Sequence, residues 1–299
     1  MTVLLALITV VFFGTWIPVS QVLPGVPQHL RTFYAGVGNF VLASCALVIG
    51  GGTLSLGWRQ FWLPLAGGVV WTAGSFAAFR AAAAIGLARA AGTWTPLNIL
   101  TSFVWGALLF GELNGLSAGR YVALGVGLVV VLIGVLLIVG SQDADSAHLP
   151  PESGRVGAFG RGILWATVAG VLWGSYFVPA QWAGVPPRVG NFPLALGILT
   201  AGLVVAVRGG ERIRLPPKVT AVQVSAGLLF GVGNLALLSL VARVGTGVGF
   251  TIAQLSLLVN AGIGMWVFKV PKPGSHASRT VLLGILVAGT GGALIGIVR

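Results

Sequence analysis

Apolar residues run through the chain in long stretches, separated by short segments rich in Arg, Gly and Pro. Ten stretches are legible: Thr2–Val22, Phe33–Ile49, Trp62–Ala84, Ala91–Phe110 and Tyr121–Val139, then Gly162–Trp182, Phe192–Val207, Ala221–Ala242, Gly247–Phe268 and Val281–Val298. A helix of about 20 apolar residues crosses the hydrocarbon core of a bilayer, so each stretch predicts one membrane span. Only Gly140 to Arg161, between the fifth and sixth spans, has the composition of a soluble loop. It holds Asp143, Asp145, Glu152 and the pair Pro150-Pro151. The boundary between two halves falls there. Residues 1–140 form a first five-helix repeat, 141–160 a linker and 161–299 a second five-helix repeat. The predicted fold is all-α and integral to the membrane.

The two halves carry similar letters in register. Gly14-Thr15-Trp16 in the first span meets Gly174-Ser175-Tyr176 in the sixth at an offset of 160, and Pro18 and Pro179 follow them. The third and eighth spans align at a constant offset of 159. Gly68, Trp71, Gly74, Ser75, Arg80 and Gly86 face Gly227, Phe230, Gly233, Asn234, Ser239 and Gly245. Gly38-Asn39-Phe40 and Gly190-Asn191-Phe192 share letters at an offset of 152, which puts them at different depths, so they stand outside the alignment. A repeat of five spans sends its second copy into the membrane from the opposite side. Inverted repeats of this kind are a frequent plan for secondary transporters, with the solute site near the midplane.

Composition narrows the classes. Of 299 residues, 56% are hydrophobic and 7% charged, against roughly a quarter charged in soluble proteins. Mean hydropathy is +0.99. Soluble enzymes, coiled coils, collagens and disordered tails are excluded. The formal net charge of +12 sits mostly between the apolar runs, which reads as anchoring at anionic lipid rather than nucleic-acid binding. The single cysteine, Cys45, can form no intrachain disulfide. The N-terminus lacks a basic leader and reads as a first membrane helix rather than a cleaved signal peptide. Loops after odd-numbered spans hold eleven basic residues, and those after even-numbered spans with the C-terminus hold five. That asymmetry predicts both termini on the non-cytoplasmic side of a cell (inner) membrane.

Several short motifs carry a family resemblance. The eighth and ninth spans read Gly231-Val232-Gly233-Asn234-Leu235, Ala242-Arg243-Val244-Gly245 and Ala253-Gln254-Leu255-Ser256. The fourth reads Trp94-Thr95-Pro96-Leu97-Asn98 and closes with Leu109-Phe110-Gly111-Glu112-Leu113. Together with the Gly-[Ser/Thr]-aromatic and Pro pattern of the first and sixth spans, this resembles the glucose/ribose porter family of the drug/metabolite transporter superfamily, which includes bacterial glucose uptake proteins. The resemblance covers most of the chain. It implies ten helices in two inverted five-helix repeats, a central cavity lined by the first four helices of each, and peripheral fifth and tenth helices. The fifth and tenth spans agree: they carry no Asn, Gln, Asp, Glu or His, and offer Gly127, Gly134, Gly292 and Gly296 for close packing.

A sugar site needs donors and acceptors for hydroxyls, and an aromatic plane for the apolar ring face. Uncharged amides at span depth are Asn39, Asn98, Asn234, Gln254 and Asn260; aromatics there are Trp16, Trp71, Trp94, Trp173 and Tyr176. From these the candidate substrate-binding set is Trp16, Asn39, Trp71, Trp94, Asn98, Tyr176, Asn234 and Gln254. Trp62, Trp165 and Trp182 lie near span ends and read as interfacial belt residues. Pro18 and Pro179 are candidate hinges, since each removes a helical hydrogen bond. Arg80 is the one charge well inside a span. It lies close enough to the span's end to snorkel, or it answers an anionic solute or serves a gate. Glu112 ends its helix, and the resemblance implies a structural role for it. His29, His148 and His276 lie in loops, and no metal spacing, nucleophile–base pair or phosphate loop is present. The expectation is a non-enzymatic carrier of a neutral sugar working by alternating access, with no cofactor and no metal. Its partners are a small solute and the lipid bilayer, without nucleic acid; the oligomeric state is not readable. The alternatives are a carrier of amino acids or an anionic metabolite, and a membrane scaffold.

Overall fold

The computed structural model describes residues 1–23, 25–50, 56–85, 87–143, 156–210, 213–269 and 272–297. Twelve helices account for nearly all of them, with no strand among the described residues. The first half holds α1 (Thr2–Gln21), α2 (Gln28–Ile49), α3 (Trp58–Ile85), α4 (Leu87–Leu108) and α5 (Ala118–Asp143). The second holds α6 (Val156–Trp173), α7 (Val178–Trp182), α8 (Pro187–Arg208), α9 (Pro217–Val244), α10 (Thr246–Gln254), α11 (Ser256–Trp266) and α12 (His276–Ile297). Among the described residues, nine stretches are long and apolar enough to cross a membrane. The α4 helix, 22 residues long, packs in the same bundle, but its run is diluted by Thr93, Thr95, Pro96, Asn98, Thr101 and Ser102.

Two expected single spans are each two helices. The sixth breaks over residues 174–177, between α6 and α7, so Pro179 sits in the first turn of a new helix. The ninth breaks at Leu255, between α10 and α11. Pro18, by contrast, lies buried inside an unbroken α1. Helices also reach into the expected 141–160 linker, since α5 runs to Asp143 and α6 starts at Val156. Asp145, His148, Pro150, Pro151 and Glu152, like Gly86, lie outside the described residues.

Four helices form the centre. The α3 helix crosses α8, α2 crosses α9, and α2 also packs on α8. Outside them α1 lies on α9 and α11, α6 on α3 and α4, and α4 on α10. The central crossings are made by bare backbone. A Cβ on Gly68 would stand 2.1 Å from the Leu194 carbonyl oxygen, and one on Gly197 2.1 Å from that of Leu65. On the other crossing, a Cβ on Gly38 would stand 2.2 Å from the Val224 oxygen and one on Gly227 2.4 Å from that of Ala35. These are the same contacts made twice. Each residue of the first crossing lies 159 positions from its counterpart in the second. Helix ends keep the offset too: Gln28 and Pro187, Ile49 and Arg208, Trp58 and Pro217, Ile85 and Val244.

At the periphery α5 and α12 pack chiefly on each other. Gly127 and Gly134 make that contact, against Ile295 and Ala288. On α12 the facing glycines are Gly284 and Gly291, whereas Gly292 turns toward Leu255 at the α10–α11 break. Of the expected Gly292–Gly296 pair, Gly292 therefore does not face α5, and the surroundings of Gly296 are not among those described.

Candidate functional site

A connected set of buried polar groups lies where the central helices meet the α6–α7 break. Glycine at 174 brings the chain against α4, where a Cβ would stand 2.8 Å from the Asn98 carbonyl oxygen. The turn that follows aims Tyr176 inward. Its hydroxyl donates to Asn234 Oδ1 on α9 at 2.9 Å, and Asn234 Nδ2 donates to Asn191 Oδ1 on α8 at 2.8 Å. Asn191 Nδ2 has no protein partner among the described residues. On α2, Asn39 is fully buried with neither amide atom partnered. Gly231, one turn before Asn234, makes room for it, since a Cβ there would stand 2.9 Å from Asn39 Oδ1. Unpaired buried amides are rare and cost about 1–3 kcal/mol each, so a group of them is a candidate place for an outside partner.

Aromatic rings lie beside the amides. Trp71 and Phe230 pack at 4.9 Å between centroids, and Trp16 lies 5.2 Å from Phe230 and 6.4 Å from Trp71. Trp71, Phe230 and Tyr176 belong to one buried cluster with Leu194 and Ile198, and Trp16 packs against it. Trp71 and Phe230 are repeat counterparts at offset 159, so the two halves touch at matching positions. Trp173 adds an indole N–H bond to the Trp71 carbonyl at 3.2 Å.

The structure gathers Trp16, Asn39, Trp71, Tyr176 and Asn234 from the expected set. Trp94 and Asn98 stand one layer away on α4. Trp94 packs on Trp173 at 5.5 Å, and Asn98 is buried with its side-chain oxygen unpartnered. Gln254 is half-buried at the last position of α10, and no hydrogen bond joins it to the Tyr176–Asn234–Asn191 chain. Arg80 is exposed, its guanidinium over the rings of Phe76 (4.9 Å) and Trp165 (6.0 Å). Sequence reasoning missed Asn191 as a site residue. Its match with Asn39 fails in depth: at offset 159 Asn191 aligns with Thr32, and Asn39 with Ile198. An amide at the head of a span was nonetheless a visible signal.

The two ends of the bundle differ. At the end carrying the N-terminus lies a cavity of about 310 Å³, lined by Phe177, Ala180, Gln181, Gly190, Leu238 and Val241 among others, so that Phe177 and Gly190 in its wall are the chain neighbours of Tyr176 and Asn191. It shares Pro186, Pro187 and Ala242 with a wider cavity of about 550 Å³ bordered by Arg188 and Arg243. At the opposite end polar bonds bridge the helices. Gln223 Nε2 on α9 donates to the Ser20 carbonyl on α1 at 2.8 Å, and Tyr34 on α2 donates to the Ile213 carbonyl at 2.8 Å. Arg31 is buried there, and its Nε and Nη2 donate to the carbonyls of Val26 and Leu23, both at 2.9 Å.

Glu112 has a structural place. Its carboxylate accepts the backbone N–H groups of Thr246 and, at 3.1 Å, of Gly247, the first turn of α10. Negative charge is favoured there by the helix dipole. The Thr246 hydroxyl in turn donates to Gln181 Oε1 at 2.6 Å, so α10 is tied to α7. Among the described residues, no cluster of His, Cys, Asp and Glu could hold a metal ion.

A buried amide set with unpartnered atoms, in a bundle of apolar helices, fits a solute-binding membrane protein, and comparison with known proteins gives the family. A family model described as sugar transport protein matches residues 4–298. The chain belongs to the sugar transport protein family. It is a multi-pass membrane protein. Among its relatives, a putative sugar uptake protein of Listeria monocytogenes is 25% identical over 232 residues, 78% of this chain and 77% of the relative. The glucose uptake protein GlcU of Bacillus subtilis is 23% identical over 301 residues, 100% of this chain and 99% of its own. One solved crystal structure superposes with a TM-score of 0.71, covering 99% of this chain and 96% of its own at 19% identity. That likeness shows the fold.

Proposed function

We propose that this member of the sugar transport protein family is a secondary carrier or facilitator of a neutral, glucose- or ribose-like sugar. It works by alternating access between two inverted five-helix repeats, residues 1–140 and 161–299. The observation that carries the reading is the set of unpartnered buried amides on Asn39 and Asn191, beside the Trp16–Trp71–Phe230 rings and with Asn191 next in the chain to cavity-lining Gly190. Amides answer hydroxyls in either direction, as donors through Nδ2 and acceptors through Oδ1. Aromatic rings suit the apolar face of a sugar ring. Arg80 stands exposed on Phe76 and Trp165 rather than at the amides, which favours a neutral solute over an anion. The twice-made glycine crossings and the matched helix ends support the inverted repeat. With the termini on the non-cytoplasmic side of a bacterial inner membrane, the cavity at the N-terminal end faces outward. Pro18, Pro179 and the break at Leu255 are where helices can bend as the repeats rock.

The test is counterflow in proteoliposomes loaded with unlabelled sugar, following labelled glucose and ribose. A transient overshoot is expected with one of them, and Asn234→Leu should abolish it while the protein still inserts and folds. Overshoot with no sugar from folded protein would sink the reading, and normal transport by Asn234→Leu would sink the site.

A further inference from the structure

Resting on the alternating-access reading, we propose that Arg31 is the gate of the closed end, and that transport requires its side chain to leave the place it now fills. The argument starts from the open end. There the cavity is bounded by Ala180, Val185, Pro186, Gly190, Leu238 and Val241. Gly190 has no side chain to put into it, and even a Cβ would come within 3.2 Å of Val185.

The repeat offset carries each of these positions to the other end of the bundle. Ala180 becomes Ser20 at the offset of 160 that relates α1 to the sixth span. At 159, Val185 becomes Val26, Pro186 becomes Pro27, Leu238 becomes Phe79, Val241 becomes Ala82, and Gly190 becomes Arg31. So the position left bare at the open end bears a long cation at the closed one. Its Nε bond is to the carbonyl of Val26, the counterpart of cavity-lining Val185. A second bond to Leu23 holds the guanidinium across the connection between α1 and α2. Beside it Gln223 on α9 bonds Ser20, the counterpart of Ala180.

The bonding is incomplete. Arg31 is nine-tenths buried, yet its Nη1 has no partner among the described residues, and no carboxylate pairs with it there. A buried guanidinium held, among the described residues, by two backbone carbonyls alone is poorly compensated. The closed state therefore carries a cost that swinging Arg31 out to the headgroup region would relieve. A residue serving only to staple a loop gains from full pairing. A gate has to be broken on every cycle and is better left short of it.

The test uses two single-cysteine versions of the full chain. Both carry Cys45→Ser, since Cys45 is exposed on α2 and would itself take up the label. One adds Ser20→Cys, below the gate, and the other Ala180→Cys, its counterpart at the open end. The readout is the labelling rate by a membrane-impermeant maleimide, with and without glucose. With Arg31 in place, Ala180→Cys should label fast and Ser20→Cys slowly. Arg31→Ala should raise the Ser20→Cys rate about tenfold and lower the Ala180→Cys rate in step, as expected when one two-state equilibrium is shifted. If Arg31→Ala fails to insert, Arg31→Lys, which keeps the charge and loses the two-pronged bond, is read by the same labels. A rise at both positions means loosened structure, and no change at either means no gate; each overturns the proposal. Glucose-driven, opposite changes in the parent protein with none from Arg31→Ala or Arg31→Lys would sink Arg31 and leave the carrier standing. Absence of both counterflow and any glucose effect would remove the carrier reading, and this proposal with it.

Discussion

Asn234 uses both ends of its amide inside the protein, on Tyr176 and Asn191, while Asn39 and the nitrogen of Asn191 are left over. In the proposed carrier, Asn234 orients and its neighbours bind. Asn191→Ala and Asn39→Ala should each weaken sugar binding by about 10- to 100-fold, the worth of roughly 1–3 kcal/mol for a buried hydrogen bond. The check is the sugar concentration needed to raise the melting temperature in detergent, and equal midpoints for variant and parent would refute the assignment. Several of these residues were legible in the sequence as amides and aromatics inside apolar runs. Which of them meet was not. Trp16, Trp71 and Tyr176 lie far apart along the chain and converge only through helix crossings, and Asn98 and Gln254 look alike in sequence yet stand outside the chain of bonds.

At the scale of helices, the two crossings are set by backbone that cannot give way. Gly68→Ala should push α3 from α8, and Gly227→Ala α9 from α2, each destabilising the fold by about 1–3 kcal/mol, the usual cost of overpacking. Thermal unfolding in detergent would show it as a clear loss in midpoint; Gly119→Ala, where a Cβ meets nothing within 4 Å, is the control. The position of most helices was readable, because hydropathy reports burial in lipid directly. The breaks at residues 174–177 and at Leu255 were not, because both runs stay apolar throughout. The start of α10 is hidden for another reason: Glu112, 134 positions before Thr246 in the chain, bonds its first turn. Glu112→Gln should cost about 0.5–2 kcal/mol through loss of charge at that helix start. It should leave the apparent affinity for sugar unchanged, and a shift in that affinity would assign Glu112 to the site instead.

For the whole molecule, the offset of 159 is the feature the sequence displayed most openly, and its physical content appears in the contacts. Gly68 against Leu194 is repeated as Gly227 against Ala35. What the offset hid is that equivalent positions need not do equivalent work: Arg31 and Gly190 share a place and have opposite chemistry. The central crossings carry one more consequence. Interlocked side chains must exchange rotamers before helices can slide or turn, which makes packed interfaces stiff and bistable. Bare backbone has no rotamers to exchange. In the proposed rocking of the two repeats, the glycine contacts would act as low-friction pivots. The pace of the motion would then be set at the rims of the bundle, where polar bonds must break, and not at its middle.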